Sequence, residues 1–161
     1  MKTLVVYYSR SGNTRRVAQA IAGALGATLE ELQEARDRSG ALGYIRSGID
    51  AVRKKAAELM PLTSDPVEFD LVVIGTPVWA FTMAPAVRTY IQQCGGKIKR
   101  AAVFCTLGSA GQDKTFRDMA AALELEPAAT LALTEGQLKK APLDDLVAGF
   151  VQLLQGAPAI Q

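Results

Sequence analysis

The chain has 161 residues, of which 49% are hydrophobic, and its formal net charge is +2. This length and composition predict one domain over residues 1–161 with a single sizeable core. The balanced charge argues against a dedicated nucleic-acid binder, and the sequence has neither an apolar run of membrane-spanning length nor the pattern of a signal peptide. We therefore expect a cytoplasmic protein without a nucleic-acid or membrane partner.

Histidine is absent from the sequence. Its absence excludes Ser-His-Asp and Cys-His catalytic arrangements as well as imidazole metal sites. The two cysteines, Cys94 and Cys105, do not form a metal-binding spacing, so we expect free thiols and no metal site. Any redox or group-transfer chemistry would then be carried by a bound cofactor, and we name no catalytic side chain.

Continuous apolar runs alternate with segments of helical periodicity along the chain. The predicted strands are residues 4–8, 28–32, 70–75, 101–106 and 130–134, and the predicted helices are residues 13–25, 44–60, 85–93, 114–123 and 142–154. This alternation predicts an α/β fold of three layers, αβα, in which a parallel sheet is covered by helices on both faces.

The segment between the second and third predicted strands contains no apolar run of strand length. Ile45, Ile49 and Val52 recur there at helical spacing, which is the basis of the helix predicted over residues 44–60. The opposite side of that helix carries charged residues such as Arg53. It is either an ordinary solvated face or a docking surface for an acidic partner.

A hydroxyl-rich loop joins the first strand to the first helix. Its backbone amides at a helix N-terminus, its single glycine and its three hydroxyls predict a cradle for one phosphate group. The alternative is a well-capped tight turn. The loop matches neither a Walker A motif nor a G-x-G-x-x-G fingerprint, so a mononucleotide-type phosphate fits better than a pyrophosphate. The candidate residues are Ser9, Arg10, Ser11, Gly12, Asn13 and Thr14.

The loop predicted after the strand at residues 70–75 is apolar and contains the single tryptophan of the chain. An aromatic loop at the ligand-binding edge of a sheet predicts a flat ring stacked against it. The alternative is that Trp79 and Phe81 pack into the core. The candidate residues are Thr76, Pro77, Val78, Trp79, Ala80 and Phe81.

The loop that follows the strand at residues 101–106 consists of small residues. Its backbone N–H groups could bond the edge of a heterocycle, although the pattern alone is equally typical of a flexible turn. The candidate residues are Thr106, Leu107, Gly108, Ser109 and Gly111.

The pattern Ser9-x-Ser11-Gly12-x-Thr14, placed directly after an N-terminal strand, resembles the phosphate loop of the flavodoxin family. The other two loops fall where that family holds its flavin ring, and the resemblance covers nearly the whole chain. It implies a five-stranded parallel sheet in the order 2-1-3-4-5 and FMN as the cofactor. It also implies that the first loop binds the FMN phosphate, the second contacts the ribityl chain and ring, and the third flanks the polar edge of the ring.

The predicted function is electron transfer through a noncovalently bound FMN, with a redox partner protein or a small acceptor. The alternative is a small FMN-dependent NAD(P)H:quinone-type oxidoreductase, and a module that uses FMN only structurally is a third class. The chain differs from strongly acidic flavodoxins in its pI of about 8.6. Because the three loops lack carboxylates, we expect a reduction potential less negative than that of an acidic flavodoxin.

Two other interpretations are disfavoured by the sequence. A receiver-type signalling domain needs acidic residues at the end of its first strand, where this chain has Ser9 and Arg10. A cysteine phosphatase needs its C-x₅-R loop between a strand and a helix, whereas Cys94 is predicted to end a helix. Cys105, predicted at the end of a strand, is either a buried spacer or a redox-sensing thiol.

Overall fold

A computed structural model describes residues 1–35 and 57–156 of the chain. Within these residues the strands are β1 Thr3–Tyr7, β2 Thr28–Glu31, β3 Leu71–Trp79, β4 Thr82–Met83, β5 Ala101–Leu107 and β6 Thr130–Thr134. The α-helices are α1 Asn13–Leu25, α2 Pro85–Cys94, α3 Gln112–Leu123, α4 Glu135–Lys140 and α5 Leu143–Gly156, and short 3₁₀ turns occur at Pro66–Glu68 and Gly95–Lys97.

Five of the strands form a parallel sheet in the order β2-β1-β3-β5-β6, and β4 pairs antiparallel with the end of β3. Counting only the parallel strands, this order is the predicted 2-1-3-4-5, so the predicted fold class is confirmed. The order reverses between β1 and β3, and the loops at the carboxyl ends of these strands are therefore the expected ligand-binding positions.

The core consists of two apolar layers, one on each face of the sheet. Alternate residues of a strand point to opposite faces, so Leu4 and Val6 pack beneath α2 and α3, whereas Val5 packs beneath α1 and α5. Both layers are fully buried at the central strands, which explains why β1, β3 and β5 have continuous apolar sequences.

Two features of the fold differ from the sequence-based expectation. First, β3 extends to Trp79 and turns back into β4, so the predicted apolar loop is a β-hairpin. Second, the short helix α4 directly follows β6 and was not predicted. Its capping box, in which the Thr134 hydroxyl accepts from the Gln137 N–H and the Gln137 side chain accepts from the Thr134 N–H, was available as a sequence signal.

The helix predicted over residues 44–60 falls largely outside the described residues. Its last part, from Ala57 to Met60, is described and is not helical. Leu59 forms an antiparallel bridge with Glu34, and the Met60 N–H donates to the Gln33 carbonyl. The prediction is therefore wrong for these residues, because their backbone groups bond to the chain that follows β2 rather than to one another.

Candidate functional site

The first predicted loop connects β1 to α1 and is organised by its own hydrogen bonds. The Gly12 N–H donates to the Ser9 hydroxyl over 3.1 Å, and Gly12 adopts a φ of 100°. This left-handed conformation favours glycine. It precedes a helix whose first turn has no acidic residue and receives no side-chain cap from any residue that the structure describes. The first amides of α1 are therefore left for an external acceptor, as a bound anion requires.

The second predicted segment is the β3–β4 hairpin, and it presents an aromatic side chain at the edge of the sheet. Trp79 is half-buried and meets Tyr8 edge-to-face, with ring centroids 5.5 Å apart. Phe81 lies at the tip of the turn and is 60% exposed. The alternative that both rings pack into the core therefore does not hold for Phe81, and Trp79 packs only partly against it.

The turn of this hairpin has an unusual backbone. Ala80 and Phe81 have φ angles of 48° and 64°, the two positive values that a two-residue type I′ turn requires. Asn-Gly is the usual sequence at such a turn, and each left-handed L-residue costs about 1–2 kcal/mol. The local sequence therefore does not favour this turn.

The third predicted loop, after β5, contacts both of the other segments. The Thr106 hydroxyl lies 2.7 Å from the Thr14 hydroxyl in a buried hydrogen bond that joins this loop to the start of α1. Gly111 adopts a φ of 109°, and a Cβ atom there would lie 2.9 Å from Val78 Cγ1. A side chain at position 111 would therefore collide with the hairpin.

Together these segments border a cleft of about 430 Å³ at the carboxyl ends of β1, β3 and β5. Its lining residues are Arg10, Ser11, Asn13, Thr14, Pro77, Val78, Trp79, Thr106, Leu107, Gly108 and Glu135. The volume lies within the range of about 300–1,000 Å³ that is typical of small-molecule sites. A larger groove of about 650 Å³ lies between α1 and α5, away from these strand ends, and is bordered mainly by small and apolar residues and by glutamines.

Ten of the seventeen residues selected from the sequence line this cleft, and the other seven belong to the same three segments without lining it. Ser9 and Gly12 shape the first loop, and Gly111 separates the third loop from the hairpin. The Thr76 hydroxyl donates to the Pro77 carbonyl and accepts from the Ala84 N–H, so it bonds within the hairpin. The remaining three, Ala80, Phe81 and Ser109, are exposed at turn positions.

Glu135 is a lining residue that the sequence analysis missed. It lies in the first turn of α4, at the end of β6. The Thr134–Gln137 capping box would have located this helix start, but the position of Glu135 at the cleft depends on the pairing of β6 with β5. The cleft therefore contains a carboxylate, which weakens the basis for expecting a less negative reduction potential.

Arg15 does not line the cleft. Its guanidinium pairs with the Glu31 carboxylate, which also accepts from the Tyr7 hydroxyl over 3.1 Å. Burial, followed by the charge of Glu31, raises the pKa of Tyr7. This cluster connects α1 to the ends of β1 and β2.

Neither cysteine has the properties of a reactive thiol. Burial raises the pKa of Cys105 to about 12, and the pKa of Cys94 is also raised, mainly by burial. A redox-sensing thiol needs access and thiolate character. The structure therefore favours the spacer interpretation of Cys105.

Among the described residues no cluster of three or more metal-ligating side chains occurs, and no described helix is long and apolar enough to cross a membrane.

The cleft suits FMN in three respects. The uncapped first turn of α1 offers amide donors for a phosphate, Trp79 offers a flat aromatic surface, and Gly108 leaves backbone accessible at the opposite wall. These groups lie in one cleft of suitable volume, so the residues present fit a phosphorylated flavin.

Comparison with known proteins gives a family and a set of structural neighbours. A sequence model of the flavodoxin family matches residues 2–151. The chain is 35% identical over 132 residues to NAD(P)H dehydrogenase (quinone) 3 of Rhizobium meliloti, covering 71% of this chain and 58% of that protein. The chain thus spans somewhat more than half the length of this curated relative.

Two solved structures resemble the whole fold. A flavoprotein of Lactobacillus acidophilus, solved in complex with FMN, has a TM-score of 0.72 at 25% identity and covers 86% of this chain and 97% of its own. A protein of Bacteroides eggerthii has a TM-score of 0.76 at 20% identity and covers 95% of this chain and 98% of its own, a likeness that shows the fold alone. The sheet order, the site at its carboxyl edge and the match over residues 2–151 lead to one conclusion: this chain belongs to the flavodoxin family.

Proposed function

We propose that this chain is an electron-transfer protein that holds one FMN noncovalently in the cleft between β1, β3 and β5. Membership of the flavodoxin family confirms FMN as the cofactor predicted from the sequence, and the similar L. acidophilus flavoprotein was solved with FMN bound. FMN, when bound, supplies a ring that accepts and donates electrons. The chain supplies binding groups and a partly apolar environment.

The observation that carries this proposal is the uncapped start of α1 in the same cleft as Trp79. The amides that follow Gly12, with the Ser11 and Asn13 side chains, would hold the phosphate. Trp79 and Pro77 would contact the ring, and the backbone at Gly108 would bond its polar edge. The Thr14–Thr106 hydrogen bond joins the start of α1 to the end of β5, so it would hold the proposed phosphate end and ring end of the cleft together.

The test compares FMN with riboflavin, which lacks the phosphate. We expect the purified protein to show a flavin absorption spectrum, or to gain one on addition of FMN, and to bind riboflavin at least about 100-fold more weakly because charge-assisted hydrogen bonds are lost. Calorimetry that detects no FMN binding would overturn the proposal.

A substitution tests whether the FMN phosphate binds at the start of α1. Asn13→Asp places a carboxylate at the first position of α1, so repulsion should weaken FMN binding by about tenfold or more while riboflavin binding stays unchanged. Gln112→Glu is the matched control, because Gln112 also begins a helix after a left-handed glycine. Equal effects of the two variants on FMN affinity would contradict the assignment.

A second candidate function is reduction of quinones by NAD(P)H. It is favoured by the name of the R. meliloti relative and by the exposed Phe81 ring at the rim of the site, which offers apolar surface to a planar acceptor. Steady-state oxidation of NADH or NADPH with a benzoquinone acceptor distinguishes the two functions. Turnover only with a reductase protein as the electron source supports the carrier.

The cellular location and the redox partner are part of the same proposal. We place it in the cytoplasm, with a redox protein or a small acceptor as its partner, and its two free cysteines suit a reducing compartment. Fractionation of the native cells with immunodetection tests the location.

A further inference from the structure

The β3–β4 hairpin carries Trp79 on a turn that its own sequence does not favour. Ala80 and Phe81 both adopt positive φ angles, and the exposed Phe81 ring adds little packing to hold them there. The conformation of this turn must therefore be fixed by groups outside it. The residue directly after the turn, Thr82, makes hydrogen bonds that can do this.

Thr82 is 2% exposed and belongs to a polar network with α2 and α3 that runs from buried groups to the surface. Its hydroxyl donates to Asp118 Oδ2 over 2.6 Å and accepts from Arg88 Nη2 over 3.1 Å. Lys114 Nζ donates to the same Asp118 oxygen over 2.6 Å. We call these four residues the Thr82 network.

The buried part of the Thr82 network, Thr82 and Arg88, is costly to remove from water, so its presence needs a reason. Arg88 is 8% exposed, and burial lowers its pKa although Asp118 partly opposes this effect. A hydroxyl that donates to a carboxylate while accepting from a guanidinium has a defined orientation, because its single proton is already assigned. The network therefore fixes one rotamer of Thr82 and one position of β4.

Thr82 is paired directly with Trp79 across the hairpin. Directly opposed residues of an antiparallel pair have side chains on the same side of the ladder, close to one another. We propose that Thr82 and Asp118 are positioning residues, whose hydrogen bond holds the hairpin so that the Trp79 indole stays against Tyr8 at the rim of the cleft. The positioning role itself does not depend on FMN. Only its consequence, that FMN binds against an indole ring already held in place, rests on the proposed function.

The primary test uses the protein without FMN. Trp79 is the single tryptophan, so its emission reports on the hairpin alone. Thr82→Val keeps the shape of the side chain and removes the hydroxyl. We expect a red-shifted Trp79 emission and a larger acrylamide quenching constant. The matched control is Thr3→Val, because Thr3 is a buried threonine at the amino end of β1 and its hydroxyl has no hydrogen-bond partner among the described residues.

Two further variants keep the test decisive. Thr82→Ser retains the hydroxyl and should restore the wild-type quenching constant. Asp118→Asn removes the charge from the other end of the bond, and should reproduce the effect of Thr82→Val if that variant fails to fold. Wild-type quenching in folded Thr82→Val and Asp118→Asn proteins would overturn the proposal.

FMN affinity provides a second measurement. Loss of a hydrogen bond to a charged group should weaken FMN binding by about tenfold in Thr82→Val and leave it unchanged in Thr3→Val. If wild-type protein did not bind FMN, the proposed function would fail, and the quenching experiment would still decide the role of Thr82. If wild type and Thr82→Val bound FMN equally, preorganisation of the site would be rejected.

Discussion

At the scale of single residues, Glu135 is the cleft residue that was not predicted from the sequence. It is exposed at the rim of the cleft, where the three loops themselves contribute no carboxylate. Reduction adds negative charge to a bound flavin, and a nearby carboxylate opposes that charge. Glu135 should therefore make the reduction potential of the bound cofactor more negative.

We predict that Glu135→Gln shifts this potential to a less negative value. Because the carboxylate is exposed and partly screened, the shift should be on the order of tens of millivolts and should shrink as salt is added. A redox titration measures it. Glu126→Gln is the control, since Glu126 is also exposed but precedes β6 and therefore lies near the other edge of the sheet. Equal potentials in wild type and Glu135→Gln would exclude this role.

Two buried tyrosines give a second prediction at the same scale. The Tyr90 hydroxyl is fully buried and has no hydrogen-bond partner in the part of the chain that the structure describes, whereas the Tyr7 hydroxyl donates to Glu31. Tyr90→Phe should leave the free energy of unfolding unchanged or raise it, because it removes an unsatisfied polar group. Tyr7→Phe should lower the free energy of unfolding by about 1.5 kcal/mol or more, because it removes a hydrogen bond to a carboxylate.

Chemical denaturation of both tyrosine variants, with equal denaturant slopes, measures the difference. Tyr90→Phe being the more destabilising of the two would contradict the structure.

The pKa of Tyr7 is raised, so Tyr7 keeps its hydroxyl proton above pH 10 in the folded state and loses that proton in the unfolded chain. Stability should therefore fall as pH rises above about 10, and Tyr7→Phe should reduce this decline.

At the scale of elements, the β3–β4 hairpin shows how a local preference is overridden. The type I′ turn needs two left-handed residues, and the chain provides Ala80 and Phe81 rather than Asn-Gly. From the sequence we predicted an apolar loop here, because neither residue is a turn signal. The pairing of β4 with β3 and the Thr82 network impose the turn from outside.

We predict that the double variant Ala80→Asn, Phe81→Gly stabilises the protein by about 1–2 kcal/mol by relieving this backbone strain. The exposed Phe81 ring contributes little packing, so its removal should cost little. Thermal unfolding measures the gain. Phe81→Ala is the control, because it removes the ring and leaves a left-handed L-residue, and it should not increase the melting temperature. A double variant no more stable than Phe81→Ala would refute the strain argument.

At the scale of the whole molecule, the central strands of the sheet separate the two apolar layers. At the centre of the sheet the side chains are packed so closely that no space remains for an added methyl group. Gly75 lies in β3, and a Cβ atom there would come within 2.0 Å of Cζ of the Phe104 ring on β5. Phe104 is fully buried, so its ring has no space into which it can move.

We predict that Gly75→Ala lowers the free energy of unfolding by about 1–3 kcal/mol or more through overpacking. Gly23→Ala is the matched control: Gly23 lies in the last turn of α1 with nothing within 4 Å of an added Cβ, and the change should stabilise the protein by up to about 1 kcal/mol. Denaturant unfolding of both variants checks the pair. Equal stability of Gly75→Ala and wild type would contradict the packing described for β3 and β5.

Sequence alone determined the parts of this protein that depend on local periodicity. The bounds of α1 at Asn13 and Leu25 and of β6 at Thr130 and Thr134 follow from spacing and from the residues that stop each element. The turn from β1 into α1 was also predictable, because its glycine and its hydroxyl residues are consecutive in the chain. The sheet order was predictable through the family resemblance.

Only the tertiary structure decided what lies between distant segments. Glu135 reaches the cleft because β6 pairs with β5, and Thr14 bonds to Thr106 although 92 residues separate them. The β3–β4 hairpin and its Thr82 network depend on contacts with α2 and α3. The physical reason is the same in each case: periodicity and capping act within a few neighbouring residues, whereas strand pairing and buried polar bonds join groups that the sequence does not place side by side.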